Sequence, residues 1–304
     1  MKRIWQMGIL LVLVLLLGCA SQRPEPTQTP ESTQMPEPTQ TPESTQMPES
    51  TQMPESTQMP EPTQTPEPTQ TPEPTQTPEP TVTPEPEQNG YLVAIDAGHQ
   101  RKSNQDKEPN GPGSDIRKAK VSAGTAGVAS GLAEYELNLM VAQKLKTELL
   151  ARGYAVIMTR ETHDVDISNA ERATMAVEAG ADAFVRIHAD GSENADAQGV
   201  LTICQTEQNP YNKEWYAQSR RLSELMLEEV VKATGAKKRY VWETDTMTGI
   251  NWAMLPSTIL EMGFMSNPEE DLRLANEEYQ DSIVCGIANA LDLFFGLDRT
   301  EEIR

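Results

Sequence analysis

From residue 91 onward the apolar positions follow two alternating rhythms. The short dry runs "YLVAID" (91 to 96), "YAVIMTR" (154 to 160), "DAFVRIH" (182 to 188), "GVLTICQ" (199 to 205) and "STILEM" (257 to 262) predict strands, each rich in aliphatic residues and too short for a helix. Between them the period lengthens. In "YELNLMVAQKLKTELLARG", Leu137, Val141, Leu145 and Leu149 return at spacing four, which lines one face of a helix, and Gly153 supplies its stop. "SNAERATMAVEAG" (168 to 180) predicts a helix with Ser168 as N-cap, and "NKEWYAQSRRLSELMLEEVVKATG" and "NEEYQDSIVCGIANALDLFFG" predict two longer ones. The alternation predicts a single three-layer α/β domain over residues 89 to 304, with a largely parallel central sheet covered by helices.

Upstream the rhythm vanishes. Pro24 to Pro84 repeats six-residue units such as "PEPTQT" and "PESTQM" with almost no large apolar side chain. Residues 20 to 88 therefore cannot bury a core, and they predict a disordered Pro-rich stalk in extended polyproline II. About 65 residues at about 3.1 Å each give a stretched reach of roughly 200 Å, which suits a spacer better than a ligand for a proline-binding module. The first nineteen residues, "MKRIWQMGILLVLVLLLGC", join Lys2 and Arg3 to an apolar run too short to span a bilayer, the pattern of an export signal. Their ending "LLGC" resembles a bacterial lipobox, which implies a lipid on Cys19 and a membrane anchor at the cell surface.

Charge narrows the partners. Of the net -21, twelve glutamates against Lys2, Arg3 and Arg23 place -9 in residues 1 to 88 and leave -12 for the remainder. An acidic domain repels phosphate backbones, so nucleic acid is excluded as a partner. No second subunit is expected.

The strand ends carry the chemistry. In open parallel sheets ligands collect at the carboxyl ends of strands. Here the first run leads into Asp96 and His99, the third ends at His188, and the last carries Glu261. A metal held by the two histidines needs a third, anionic ligand. "GLAEYELNL" offers Glu134 and Glu136 at a helix start, where a carboxylate suits either the dipole or a cation, and the pattern does not choose between them. Glu261, inside "TILEMGF", is flanked by apolar residues; burying a carboxylate without a partner is costly, so it requires a partner or a purpose.

Four blocks, "VAIDAGHQ", "GLAEYELNLMVAQKLKTELLARGYAVIMTR", "AFVRIHADG" and "TILEMGFMSNPEED", resemble in order and spacing the zinc-dependent N-acetylmuramoyl-L-alanine amidases that cleave peptidoglycan, over about residues 91 to 296. The resemblance implies Zn2+ held by His99, Glu134 and His188, and so selects Glu134 over Glu136. It implies Glu261 as the catalytic residue, and hydrolysis of the amide joining N-acetylmuramic acid to L-alanine. Competing readings are a zinc peptidase using the same ligands within the stem peptide, a silent wall-binding adaptor, and a carboxylate-pair glycosidase. The adaptor would lack a ligand or the glutamate, and none is missing.

Several residues depart from that pattern or fall outside it. Asp190 stands where the family usually has Asn, and 34 residues separate His99 from Glu134, a long loop expected to shape binding. His163 matches no block and is expected at the surface. Asp96 is expected either to orient His99 or to support its loop. Cys204 and Cys285 are expected as two buried free thiols.

Overall fold

The computed structural model describes residues 87 to 297; the export signal, Cys19 and the repeats up to residue 86 lie outside the described residues. In chain order the elements are β1 (Leu92–Ala97), β2 (Asn104–Pro109), β3 (Arg117–Val121), α1 (Glu134–Ala151), β4 (Ala155–Met158), α2 (Asn169–Glu178), β5 (Ala183–Asp190) and β6 (Val200–Cys204). A 3-10 turn (Lys213–Trp215) then leads into α3 (Tyr216–Thr234), followed by β7 (Lys238–Glu243), α4 (Thr248–Asn251), β8 (Ser257–Phe264), α5 (Pro268–Leu274) and α6 (Glu277–Phe295).

Six strands form one sheet in the order β4-β1-β5-β8-β6-β7. Neighbours are parallel except for β6 against β8. Because β6 and β7 run the other way, their first residues lie at the same end of the sheet as the last residues of β1, β5 and β8.

On one face α1, α3 and α6 press Leu137, Val141, Leu145, Leu222, Met226, Ile283 and Ile287 onto Val93, Ile95, Val185, Ile187 and Leu260. A fully buried Leu or Ile contributes about 1.5–3 kcal/mol over an exposed one, so this dry layer fixes the central strands. Gly286 lets α6 approach α3, since a Cβ there would come within 2.6 Å of the Val230 Cα. The other face carries Ala94 and Phe184 under Ala173 and Ala176 of α2, and Leu201, Ile203, Ile259 and Phe264 beside Ile250 of α4. Ser168 does cap α2: its hydroxyl accepts from the Glu171 N–H at 3.2 Å, and the Glu171 carboxylate accepts from the Ser168 N–H at 2.7 Å.

The expected three-layer α/β architecture is present, with differences that have physical reasons. The loop after His99 contains an antiparallel hairpin of β2 and β3, whose "NQDKEP" and "RKAKV" lack the apolar alternation that marks a strand. The edge strand β7 was also hidden, because "KRYVWE" buries no residue fully. Cys204 is buried as expected, and burial pushes its thiol up to about 11. Cys285 corrects the second half of that expectation: it is exposed, because Val284, Gly286 and Ile287 take the inward positions of α6 and turn Cys285 out. His163 is not out on the surface either; it is half-buried, edge-on to the Tyr135 ring with centroids 5.2 Å apart.

Candidate metal centre

Two strands of the dry sheet become accessible at one place. β5 is fully buried except at His188 and Asp190, and β8 is fully buried except at Glu261. His188 and Glu261 are register partners, so their side chains rise from the same face, one interstrand spacing of about 4.8 Å apart.

His99 arrives from β1 by a strained turn. Its φ of 60° lies in the left-handed region, which among the described residues no other non-glycine residue occupies. Two arginines hold that turn by its carbonyls. Arg172 donates to Ala97 O at 2.9 Å, His99 O at 3.0 Å and the Gln100 side chain at 2.9 Å, while Arg160 donates to Ala97 O at 2.8 Å and Gly98 O at 3.0 Å. Asp96 anchors the arrangement, accepting from Arg172 at 2.7 Å, from Arg186 at 2.8 Å and from the Thr159 hydroxyl. Burial works against ionising Asp96, yet Arg172 and Arg186 outweigh it and hold the carboxyl far below the usual range. Its partners are the arginines and not the His99 ring, so of the two expected roles Asp96 fills the second: it supports the loop.

Glu134, the first residue of α1, turns its carboxylate into the same space. Its Oε1 lies 3.1 Å from His99 Nε2 and 3.1 Å from His188 Nδ1. Asn138 Nδ2 and the Ala189 N–H donate to that oxygen at 3.2 Å, and the Thr125 N–H donates to Oε2 at 2.9 Å. Burial disfavours the Glu134 anion, but the contacts with His188 and His99 outweigh it and hold the carboxyl well below its ordinary value. Glu136 turns back instead to accept from the Ala133 N–H at 3.2 Å, closing the helix end. His99, Glu134 and His188 thus each present one ligand atom, all within 4.8 Å of one another.

The donor set fits a divalent metal. His99 Nδ1 lies 3.0 Å from the Ser122 carbonyl, which can only accept, so a ring proton sits on Nδ1 and Nε2 is the nitrogen turned to Glu134 Oε1. Burial pulls the His188 pKa down to about 4, so that ring is neutral at pH 7, and its Nε2 is buried without a hydrogen-bond partner among the described residues. Gly98 makes room for it, since a Cβ there would overlap the His188 ring. Two imidazoles and one carboxylate are a donor set that can hold a divalent metal.

Glu261 completes the cluster. Burial pushes its pKa well up, and the charges of Glu134 and Asp190 push it further, against a weaker pull from Arg186. Among the described residues its carboxylate has no hydrogen-bond partner, as suits a group that keeps its oxygens for a reacting molecule. Asp190 accepts from the Gly191 N–H at 2.7 Å, and burial raises its pKa. The four residues singled out from the sequence therefore converge at one end of the sheet. Arg160, Arg172, Arg186 and Ser122 were not foreseen as their supports. Only Arg186 left a signal, as a charge inside the dry run "AFVRIH".

A family model described as N-acetylmuramoyl-L-alanine amidase matches residues 93–292 of this chain. The chain belongs to the N-acetylmuramoyl-L-alanine amidase family. The likeness carried by the four sequence blocks is thereby borne out, and membership makes the protein an amide hydrolase. Uncharacterized protein YqiI of Bacillus subtilis (strain 168) is 30% identical over 168 residues, covering 55% of this chain and 77% of its own. N-acetylmuramoyl-L-alanine amidase LytC of the same organism is 29% identical over 154 residues, covering 51% of this chain and 29% of LytC, so the chain spans only part of that relative. The amidase Ami1 from Mycobacterium smegmatis superposes with a TM-score of 0.62 at 24% identity, over 70% of this chain and all of Ami1. An N-acetylmuramoyl-L-alanine amidase from Clostridium difficile 630 superposes with a TM-score of 0.56 at 25% identity, over 68% of this chain and 98% of its own.

Proposed function

We propose that this family member is a zinc-dependent N-acetylmuramoyl-L-alanine amidase, hydrolysing the amide between N-acetylmuramic acid and the L-alanine of the stem peptide in peptidoglycan. Residues 89 to 304 form its catalytic domain. The lipid on Cys19 anchors it at the cell surface, and the repeat of residues 20 to 88 spaces the domain toward the wall. The observation that carries the reading is the convergence of His99, Glu134 and His188 with Glu261 one strand away from His188.

An amide is a weak electrophile with a poor leaving group, so its hydrolysis needs an activated water, a polarised carbonyl and a proton for the departing amine. His99, Glu134 and His188 would hold the zinc, whose Lewis acidity would polarise the carbonyl and acidify water. The protein's own residues do the rest. Glu261 takes the proton of the attacking water onto its free carboxylate and passes it to the L-alanine nitrogen as the bond breaks. Ser122 fixes the His99 tautomer, and Asn138 and the Ala189 N–H orient Glu134.

The metal assignment is tested by zinc analysis of purified protein. Wild type is expected to hold one equivalent, and His188→Ala to lose it while circular dichroism keeps the α/β signature. One equivalent of zinc retained in His188→Ala defeats the assignment.

A further inference from the structure

The reacting end of the sheet is acidic. Glu134, Asp190 and Glu261 lie together there; a zinc ion on Glu134 offsets that residue's charge, and Asp190 and Glu261 still disfavour a peptide carboxylate unless a further cation meets it. The basic groups beside it are mostly committed: Arg186 to Asp96 and Lys238 to Glu228. Arg239 differs. It is half-buried and acts electrostatically on Asp190, and among the described residues its guanidinium makes no hydrogen bond and no ion pair within 4 Å.

Its placement follows from a register shift. β7 pairs with β6 through Val200↔Lys238 and then Thr202↔Val241, so Arg239 and Tyr240 both stand opposite the single residue Leu201. An extra residue of this kind re-aims side chains at a sheet edge. Leu201 is in turn the register partner of Glu261. Glu261, Leu201 and Arg239 therefore stand in one row across three adjacent strands, which puts the Arg239 backbone two spacings, roughly 10 Å, from that of Glu261. From there the side chain lies over Phe264, with Cζ 4.7 Å from the ring centroid, and Phe264 is the register partner of Asp190. A planar cation resting on an aromatic ring is held in orientation while its N–H edge stays free.

We propose that Arg239 is a specificity-determining residue that binds a carboxylate on the peptide side of the scissile amide, one residue beyond the L-alanine. The proposal rests on the amidase reading and names the part of the substrate that reading leaves open. Two peptide residues span roughly 7 Å, so a carboxylate on the second falls within the gap between Glu261 and a guanidinium based roughly 10 Å away. The forked donors of arginine pair with a carboxylate through two parallel hydrogen bonds, whereas a carboxamide in its place offers one acceptor and no charge.

The test uses two synthetic substrates, N-acetylmuramoyl-L-alanyl-D-glutamate with its γ-carboxyl capped as a methylamide and its α-carboxylate free, and the same compound with the α-carboxyl also converted to a carboxamide, with zinc-loaded wild type, Arg239→Lys and Arg239→Met. Wild type is expected to show a KM about ten- to a hundredfold lower for the carboxylate. In Arg239→Met the two KM values should converge, with the loss in KM and not in kcat, and Arg239→Lys should restore part of the difference. Equal KM values for the two substrates in wild type overturn the proposal without needing any variant. So does an Arg239→Met enzyme impaired equally on both, which reduces Arg239 to packing on Phe264. If wild type hydrolyses neither substrate, the amidase reading itself fails and takes this one with it.

Discussion

Glu261→Gln is expected to fold, to bind one equivalent of zinc, and to lose turnover by about a hundredfold to ten-thousandfold, the range a positioned acid–base group contributes. Glutamine keeps the volume and the acceptor oxygen but can neither take up nor release the proton. The local structure points to a large effect. Glu261 is the one accessible residue of β8, its neighbours Leu260 and Met262 are packed into the opposite face, and its carboxylate has no structural partner among the described residues. The carboxylate makes no structural hydrogen bond among those residues, so the fold should keep its stability. Steady-state kinetics beside thermal melting separate the two consequences; turnover within tenfold of wild type would remove the assigned role.

The second large effect lies away from the reacting groups. Asp96→Ala is expected to cost about 3–5 kcal/mol, because it leaves the guanidiniums of Arg172 and Arg186 buried without their anion. That is a large share of a domain's net stability of about 5–15 kcal/mol. The loop bearing His99 should loosen with it, since Arg172 grips that loop through carbonyls of Ala97 and His99 while Asp96 holds Arg172, and zinc affinity should fall in parallel. The depressed acidity of Asp96 sets the direction with pH. Its contribution is fully present above the unfolded pKa of about 4 and is lost as the pH falls from there toward the lower folded value. Chemical denaturation of wild type and variant at pH 7 and at pH 3 measures both quantities. A difference under 1 kcal/mol at pH 7 would contradict the account of Asp96 as the anchor of the loop.

The residues that sequence reasoning found share one property: each is polar where its surroundings are dry. His99, His188 and Glu261 end or interrupt apolar strands, and that conflict between local pattern and residue type is visible without coordinates. Glu134 and Glu136 could not be separated this way, because both sit in the first turn of α1. The choice depends on which carboxylate faces the histidines, and the fold sends Glu136 back to the Ala133 N–H. Asp96 was ambiguous for a related reason, since its partners lie 76 and 90 positions away on α2 and β5. Edge elements were hidden because they do not bury a face: β2 and β3 fall within the long loop between His99 and Glu134, and β7 carries no fully buried residue to mark it as a strand. For Cys285 a general preference for burial was overridden by its phase on α6, which the flanking apolar residues decide.

The central claim is that this chain cuts between the lactyl group of N-acetylmuramic acid and L-alanine. Purified wall digested with the zinc-loaded domain, then analysed by mass spectrometry, reads the cut bond directly. The account predicts glycan stripped of all peptide, together with released stem peptides that begin with a free L-alanine amine, and neither product with Glu261→Gln. Glycan that still carries L-alanine, with shortened peptides in solution, would contradict it and assign the same metal centre to a peptidase.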